Sequence, residues 1–514
     1  MNEHPEISRS IACALTAILA AGAAFAGFDI APIDASANRN ATTINPGMTR
    51  IGTLRPRSVE EVGPSNWALD GSPLDRVGFS DFDKYCIYLP ALGVDRLRVL
   101  TGWARSEKTR GGIDVAWLDH IVDWCIAHRI RPLLELSYGN PIYPGAGGAG
   151  LRDGIPNKPE GLAAWDRWVD FLGGHFKGRV SEWAMWNEPD INPDENKPAD
   201  IAAFNVRSAK ILRRHMPNCI LHGLSLAHND PKYLRSCLEA MGGDVKLFNT
   251  FVYHGYTKCP ETSYEKVVEQ QKVVAELAPH ARLRQGENGC ASEWLDRMAL
   301  RGLSWTEVSQ AKWDMRRMLG DLGHDVESGL FCIVDFNYQP PTFPVFFCNR
   351  KGYLRTNPSN DVIRVKRAYY AVQNVVSVFD SSLSRVKTPG FTTTDRGVTS
   401  YEYRTKAGCP LFVFWSHGMT KFRKSPKSFD PAGRIEVDIL GDPPGDSFET
   451  RGCVFEWTGK PLVDPVWVDL MTGWVYELPK KLQIVHSCGI TFAEIPLYDS
   501  PCVLTERATL SIEE

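Results

Sequence analysis

From about residue 65 to residue 380 the chain repeats one pattern: an amphipathic stretch, a short apolar run, then polar residues. "DFDKYCIYLPALGV" leads into "DRLRVLTGW", and "VAWLDHIVDWCIAHR" leads into "IRPLLELSYGNP". Seven helix-then-strand units follow one another in this way, the last ending in "VESGLFCIVDFNY". The helices show i, i+3, i+4 apolar spacing, as in Trp117, His120, Ile121, Trp124 and Cys125. The strands are short apolar runs, which a parallel sheet covered on both faces requires. A first strand near "NWALDG" (66–71) precedes the units, and "VIRVKRAYYAVQNVVSVF" (362–379) supplies a closing helix. Eight strands alternating with eight helices predict an α/β fold, a (β/α)8 TIM barrel over 61–383. The length beyond the ~250 residues typical of such barrels is expected in loops such as "YPGAGGAGLRDGIPNKPEG".

After about residue 385 the texture changes. Alternating runs such as "VTSYEYRT", "PLFVFWSH" and "PVWVDLMTGWVYELP" are separated by turn residues, with no helical pattern between them. They predict an all-β sandwich over 384–514. Residues 27–60 show little periodicity and read as an N-terminal arm. Residues 1–26 read as an export signal, with an N-terminal membrane anchor as the alternative: an apolar, Ala-rich stretch ends at Ala24-Phe25-Ala26. The expected location is therefore secreted or periplasmic. No other stretch reaches about 18 apolar residues, so no membrane insertion is expected after signal removal.

A net charge of −3 without a basic run excludes nucleic acid as an expected partner, because binding it needs concentrated positive charge. The thirteen Cys form no C-x-x-C pair, which argues against structural zinc. Cys125 and Cys332 sit inside apolar runs and read as buried thiols. No metal spacing appears, and no cofactor is expected. "GAGGAG" (145–150) matches G-x-G-x-x-G literally, but prolines follow where a helix must start, so it reads as a loop. "GLSLA" (223–227) lacks the last glycine of a nucleophile elbow.

In such barrels the active residues sit where strands end at the C-terminal mouth. Strand 4 ends in "SEWAMWNEP" with Asn187 and Glu188, and strand 7 ends in "RLRQGENG" with Glu287. Strand 2 carries Arg98, strand 3 Tyr138 and Asn140, and strand 6 His254 and Tyr256. Glu188 and Glu287 are three βα units apart, on facing parts of the ring. Two carboxyl groups roughly 5–5.5 Å apart are what a retaining glycosidase needs, one to attack the anomeric carbon and one to protonate the leaving oxygen. Burial and a like charge nearby would keep one of the pair protonated. Alone, Glu188 reads equally as a helix-start acid; Glu287 in register favours the pair.

"WNEP" (186–189) with a Glu at strand 7 resembles the large (β/α)8-barrel clan of retaining glycoside hydrolases, closest to its branch of β-xylosidases and α-L-iduronidases. "LSYGNPIY", "KRAYYAVQNVVSVFD" and "IPLYDSPCVL" resemble that clan's strand 3, closing helix and appended sandwich. The resemblance implies Glu188 as acid/base and Glu287 as nucleophile. It implies that Asn187 binds the sugar 2-hydroxyl, that Arg98 holds the nucleophile ionised, and that His254 or Tyr256 hydrogen-bonds the nucleophile or the sugar. The clan often ends strand 8 in a Trp that stacks on the sugar. Here "CIVDFNY" offers Asp335, expected to read an extra hydroxyl, with Phe336 and Tyr338. Trp103, Trp294 and Tyr143 are candidate sugar platforms, each equally a packing residue. The expected activity is exo-acting hydrolysis of plant or algal poly- or oligosaccharides. The rivals are a catalytically inactive carbohydrate-binding barrel, an endo-glycanase of the same clan, and a phosphosugar isomerase. The last would need a phosphate cradle that "ENGCAS" and "DFNYQPP" do not supply.

Overall fold

The computed structural model describes residues 44–71, 79–191, 196–338, 346–417 and 444–513. The export signal and the first part of the arm lie outside the described residues. Eight short strands form one parallel sheet: Trp67–Asp70, Arg96–Leu100, Arg131–Glu135, Glu182–Ala184, Ile220–Leu226, Thr250–Tyr253, Arg282–Gln285 and Ser328–Leu330. Strands 1 to 7 pair in sequence order, and strand 8 returns to pair with strand 1. Parallel bridges Arg284↔Glu327 and Asn288↔Leu330 join strands 7 and 8 and close the ring. The closure is tight. A Cβ on Gly329 would lie 1.9 Å from the Gly286 carbonyl oxygen, so only glycine fits there.

Every expected barrel strand forms where the sequence placed it, and the expected β run "RIEVDIL" (434–440) lies outside the described residues. Among the described residues, seven helices of eleven or more residues cover the ring, from Ala116–Ala127 to Arg367–Val378. The helix expected in "DFDKYCIYLPALGV" breaks into short turns, Phe82–Tyr85, Cys86–Tyr88 and Leu89–Leu92. Pro90 lacks the N–H a continuous helix would need there. In Ala116–Ala127 the buried face is Leu118, Ile121, Val122 and Cys125, while Trp117 is half-buried and His120 exposed. Burying each large apolar side chain of that face contributes about 1.5–3 kcal/mol before entropy is counted. The segment expected as one helix over 362–379 divides. Val362–Val365 forms a strand paired with Leu354–Thr356, and the helix starts at Arg367. The β-branched run Val362, Ile363 and Val365 favours the extended form.

The C-terminal part is a two-sheet β domain. An eight-stranded sheet faces a four-stranded one, and Phe391, Phe414, Phe455, Trp457, Trp467 and Phe492 fill the space between. Strand Pro410–Ser416 shows how this domain joins the barrel. It is buried on both faces: Phe412 and Phe414 point into the sandwich core, while Leu411, Val413 and Trp415 belong to the barrel core. The period of two along a strand makes that division automatic. The arm is not a linker throughout. Arg50–Leu54 is a strand of the large β sheet, paired with Trp474–Glu477 and with Ile512–Glu513. Among the described residues the twelve Cys outside the signal are all free, and no helix is long and apolar enough to cross a membrane.

Candidate active site

Strand 2 aims Arg98 into the barrel mouth, where its guanidinium organises everything else. Nε and Nη2 bind Glu135 at 2.8 and 3.0 Å, a two-point grip on the end of strand 3. Nη1 donates to Asp70 at the end of strand 1 and to Glu287 Oε2 at 2.7 Å. Nη2 also donates to Asn187 Oδ1 at 2.5 Å. Asn187 in turn donates to the Tyr138 hydroxyl at 2.6 Å, and its backbone N–H to the Ser137 hydroxyl at 2.8 Å. Strands 1, 2, 3, 4 and 7 are thereby tied at one point. A buried arginine needs this many acceptors, because an unpaired buried charge costs several kcal/mol.

Glu188 has φ of +50°, a left-handed backbone unusual for a side chain of its size. Strand 5 provides its support. A bulge at Leu224 and Ser225 breaks the register with strand 6, and the Ser225 carbonyl accepts the Glu188 N–H at 2.9 Å. Bulges beside barrel rims commonly re-aim a side chain in this way. Glu188 Oε1 accepts from His254 Nδ1 at 2.8 Å, and Glu287 Oε1 accepts from the Tyr256 hydroxyl at 2.9 Å. Carboxylate oxygens of the two glutamates lie within 4.8 Å of one another. Both residues keep 8 % of their surface open, whereas His254 keeps none, so the pair forms the floor of the opening.

The two carboxyl groups sit in different fields. Burial pushes Glu287 up, but the charges of His254 and Arg98 and the hydrogen bonds from Arg98 and Tyr256 outweigh it and hold Glu287 below the usual carboxylate range. Burial pushes His254 down, but Glu287 and Glu188 outweigh it and raise the imidazole above its ordinary value. Burial and Glu287 push the Tyr256 phenol far up, so it stays a donor. Glu188, His254 and Glu287 each offer one atom in a cluster that could hold a metal ion. Both Glu287 oxygens accept from Arg98 or Tyr256, and His254 Nδ1 is bonded to Glu188.

Of the residues expected from the sequence, Arg98, Tyr138, Asn187, Glu188, His254, Tyr256 and Glu287 come together. Three do not. Trp103 is fully buried, stacked on Tyr143 and Trp168, with its indole N–H donated to Glu107 at 2.6 Å. It is core, and so is Tyr143, whose hydroxyl also bonds Glu107. Asn140 ties loops, donating to the Glu107 carbonyl at 2.8 Å. Asp335 cannot read a sugar hydroxyl. It is fully buried, paired with Lys366 at 2.6 Å and Arg350 at 3.3 Å, and accepts the Gly352 N–H. Trp294, on the loop after strand 7, is 48 % exposed. Asp70, Glu135 and Ser137 were not foreseen. The requirement of a buried Arg98 for several acceptors was the available signal.

No protein-family model matches the chain, and no curated protein matches it. Solved structures do. A family 39 glycoside hydrolase from Bacteroides cellulosilyticus aligns over 88% of this chain and 83% of its own, with a TM-score of 0.60 at 16% identity. A monomeric β-xylosidase from Caulobacter crescentus aligns over 89% and 97%, with a TM-score of 0.53 at 12% identity. The catalytic domain of a family 30 xylanase from Talaromyces cellulolyticus aligns over 92% and 99%, with a TM-score of 0.51 at 9% identity. With its closed parallel ring and appended β domain, the chain has the fold of these glycoside hydrolases.

Proposed function

We propose that this protein is a retaining glycoside hydrolase acting through Glu188 and Glu287. The observation that carries the reading is the carboxylate pair itself: oxygens within 4.8 Å across the mouth, one group held anionic by Arg98, His254 and Tyr256. That spacing is nearer the roughly 5–5.5 Å of a retaining pair than the roughly 6.5–9.5 Å that an inverting pair keeps for its water. Glu287 attacks the anomeric carbon while Glu188 gives its proton to the leaving oxygen, so the glycosidic C–O bond breaks as the glycosyl-enzyme ester forms. Glu188, now a carboxylate, takes a proton from water, which attacks the anomeric carbon and releases Glu287. His254, bonded to Glu188, orients the acid/base.

The substrate reading is a β-xyloside or related short oligosaccharide, cleaved from one end. A β-xylosidase and a xylanase among the neighbours support the sugar. The loop directly after strand 3 supports exo action. Tyr143, Pro144, Asp153 and Asn157 of that loop, with Asn196 after strand 4, line a solvent-open pocket of about 570 Å³. On this reading a loop of that length walls off one side of the mouth. Export rests on the Ala-rich N-terminus.

A panel of 4-nitrophenyl glycosides (xyloside, glucoside, galactoside, arabinoside, fucoside, uronide) tests the reading. Turnover of one member is expected, lost to the detection limit in Glu287→Gln. Full activity in that variant removes the nucleophile assignment, and no turnover by the wild type on any member favours the inactive carbohydrate-binding barrel.

A further inference from the structure

Lys351 lies on the tight connection between Phe347–Asn349 and Leu354–Thr356, next to strand 8. It is buried, at 2 % exposure. Among the described residues no carboxylate lies within ion-pair distance of it. Its ammonium instead donates to the Gly289 carbonyl at 2.6 Å and sits 4.4 Å from the centre of the Tyr256 ring. Both partners lead to Glu287. Gly289 is two residues beyond it on the same turn, and the Tyr256 hydroxyl donates to Glu287 Oε1.

A buried cation without an anion is expensive, and a chain selected for stability alone would place an apolar side chain here. Cys290, Cys332 and Asp314 lie nearby, each pushed up by burial, and the Glu287 carboxylate also acts on the ammonium. Burial lowers Lys351 itself, to about 8, which leaves it charged through neutral and acid pH. Its backbone cannot turn away. The Lys351 carbonyl accepts from Gln310 at 3.0 Å, and a Cβ on Gly352 would meet the Asp335 nitrogen at 1.9 Å.

We propose that Lys351 is a positioning residue for Glu287, pinning the Tyr256 ring from its face and the Gly289 carbonyl from its oxygen. A cation over the face of a phenol holds the ring in place and draws electron density from it, which strengthens the hydroxyl as a donor. Glu287 then receives its hydrogen bond in one geometry, with a third positive charge behind Arg98 and His254. This rests on the reading of Glu287 as nucleophile.

Lys351→Gln keeps an N–H for Gly289 and removes the charge; Lys351→Met fills the stem's volume as a second neutral variant, and Lys351→Arg restores a cation. Each is assayed on 4-nitrophenyl β-xyloside from pH 4 to 9, alone and with Tyr256→Phe. In Lys351→Gln the acid limb of kcat/KM is expected to move to higher pH, with kcat falling about tenfold and KM changing less. Lys351→Arg recovers most of the loss. In the Tyr256→Phe background the loss shrinks to about twofold or less, because the hydroxyl it acts through is gone. An unchanged profile, or the same loss in both backgrounds, overturns the proposal. Should the wild type turn over no glycoside, the functional reading fails by itself, and a crystal structure of Lys351→Gln decides the positioning role. A Tyr256 hydroxyl displaced from Glu287 supports it, and one still bonded at the same distance overturns it.

Discussion

Arg98→Met removes the cation on which the site converges. Asp70 and Glu287 lose a charge partner, and Glu135, which burial already pushes up, loses its two-point grip. A buried carboxylate left without its cation takes up a proton. At pH 7, protonating a carboxyl of ordinary pKa near 4 means three units at about 1.4 kcal/mol each, about 4 kcal/mol in all. That agrees with the ~3–5 kcal/mol seen when one partner of a buried pair is deleted. At pH 5 the same step costs about 1.4 kcal/mol. The sign follows from linkage. The folded variant binds protons that its unfolded chain releases, so its stability falls as pH rises from 5 to 7. In the wild type Glu287 is held low, and its contribution is present above the unfolded carboxylate range and is lost only as pH falls through its folded value. Urea unfolding of both proteins at pH 5 and pH 7 reads the difference directly. The variant should be less stable by about 4 kcal/mol or more at pH 7, with the gap narrowing by about 2–3 kcal/mol at pH 5. An equal gap at both pH values would refute the view that Arg98 neutralises buried carboxylates.

Three further outcomes follow from the same geometry. Tyr256→Phe takes one hydrogen bond from Glu287 and should lower kcat/KM about ten- to hundredfold at acid pH, with the acid limb moving up; a pH–rate profile checks this. Trp103→Ala should destabilise the fold by about 3–5 kcal/mol in a denaturant titration, and any folded fraction should keep its KM, since the ring is core. Asp335→Asn strands the buried Lys366 and should cost about 3–5 kcal/mol without changing which glycoside is preferred; a switch in sugar preference would restore the hydroxyl-reading role.

The barrel was legible because most strands are short apolar runs bounded by helix-period stretches, and the repeat itself placed strand 7, "RLRQ", which has a single apolar residue. The arm strand Arg50–Leu54 was not, since "RIGTL" has no periodicity of its own and its partners are 420 or more residues away. The catalytic pair was legible from type and register: Glu188 and Glu287 close strands on facing parts of the ring. Asp70 and Glu135 were hidden inside runs that read as strand core. Only the charge of Arg98, once buried, explains why a strand would end in an acid there. Trp103 and Asp335 were misread for the opposite reason. Both occupy strand-end positions that suit a site, and burial decides their role, which position in the sequence does not show. Trp294 keeps the exposure that Trp103 lacks, and it stands outside the cluster formed by Cys290, Leu295, Trp305 and Trp313.

The stereochemistry of the first product tests the central claim most directly. Proton NMR during hydrolysis of the accepted glycoside distinguishes the two anomers before mutarotation mixes them. Two displacements at carboxylates this close predict that the anomer formed first has the configuration of the substrate. A first product of opposite configuration would mean that water, and not Glu287, attacks the sugar.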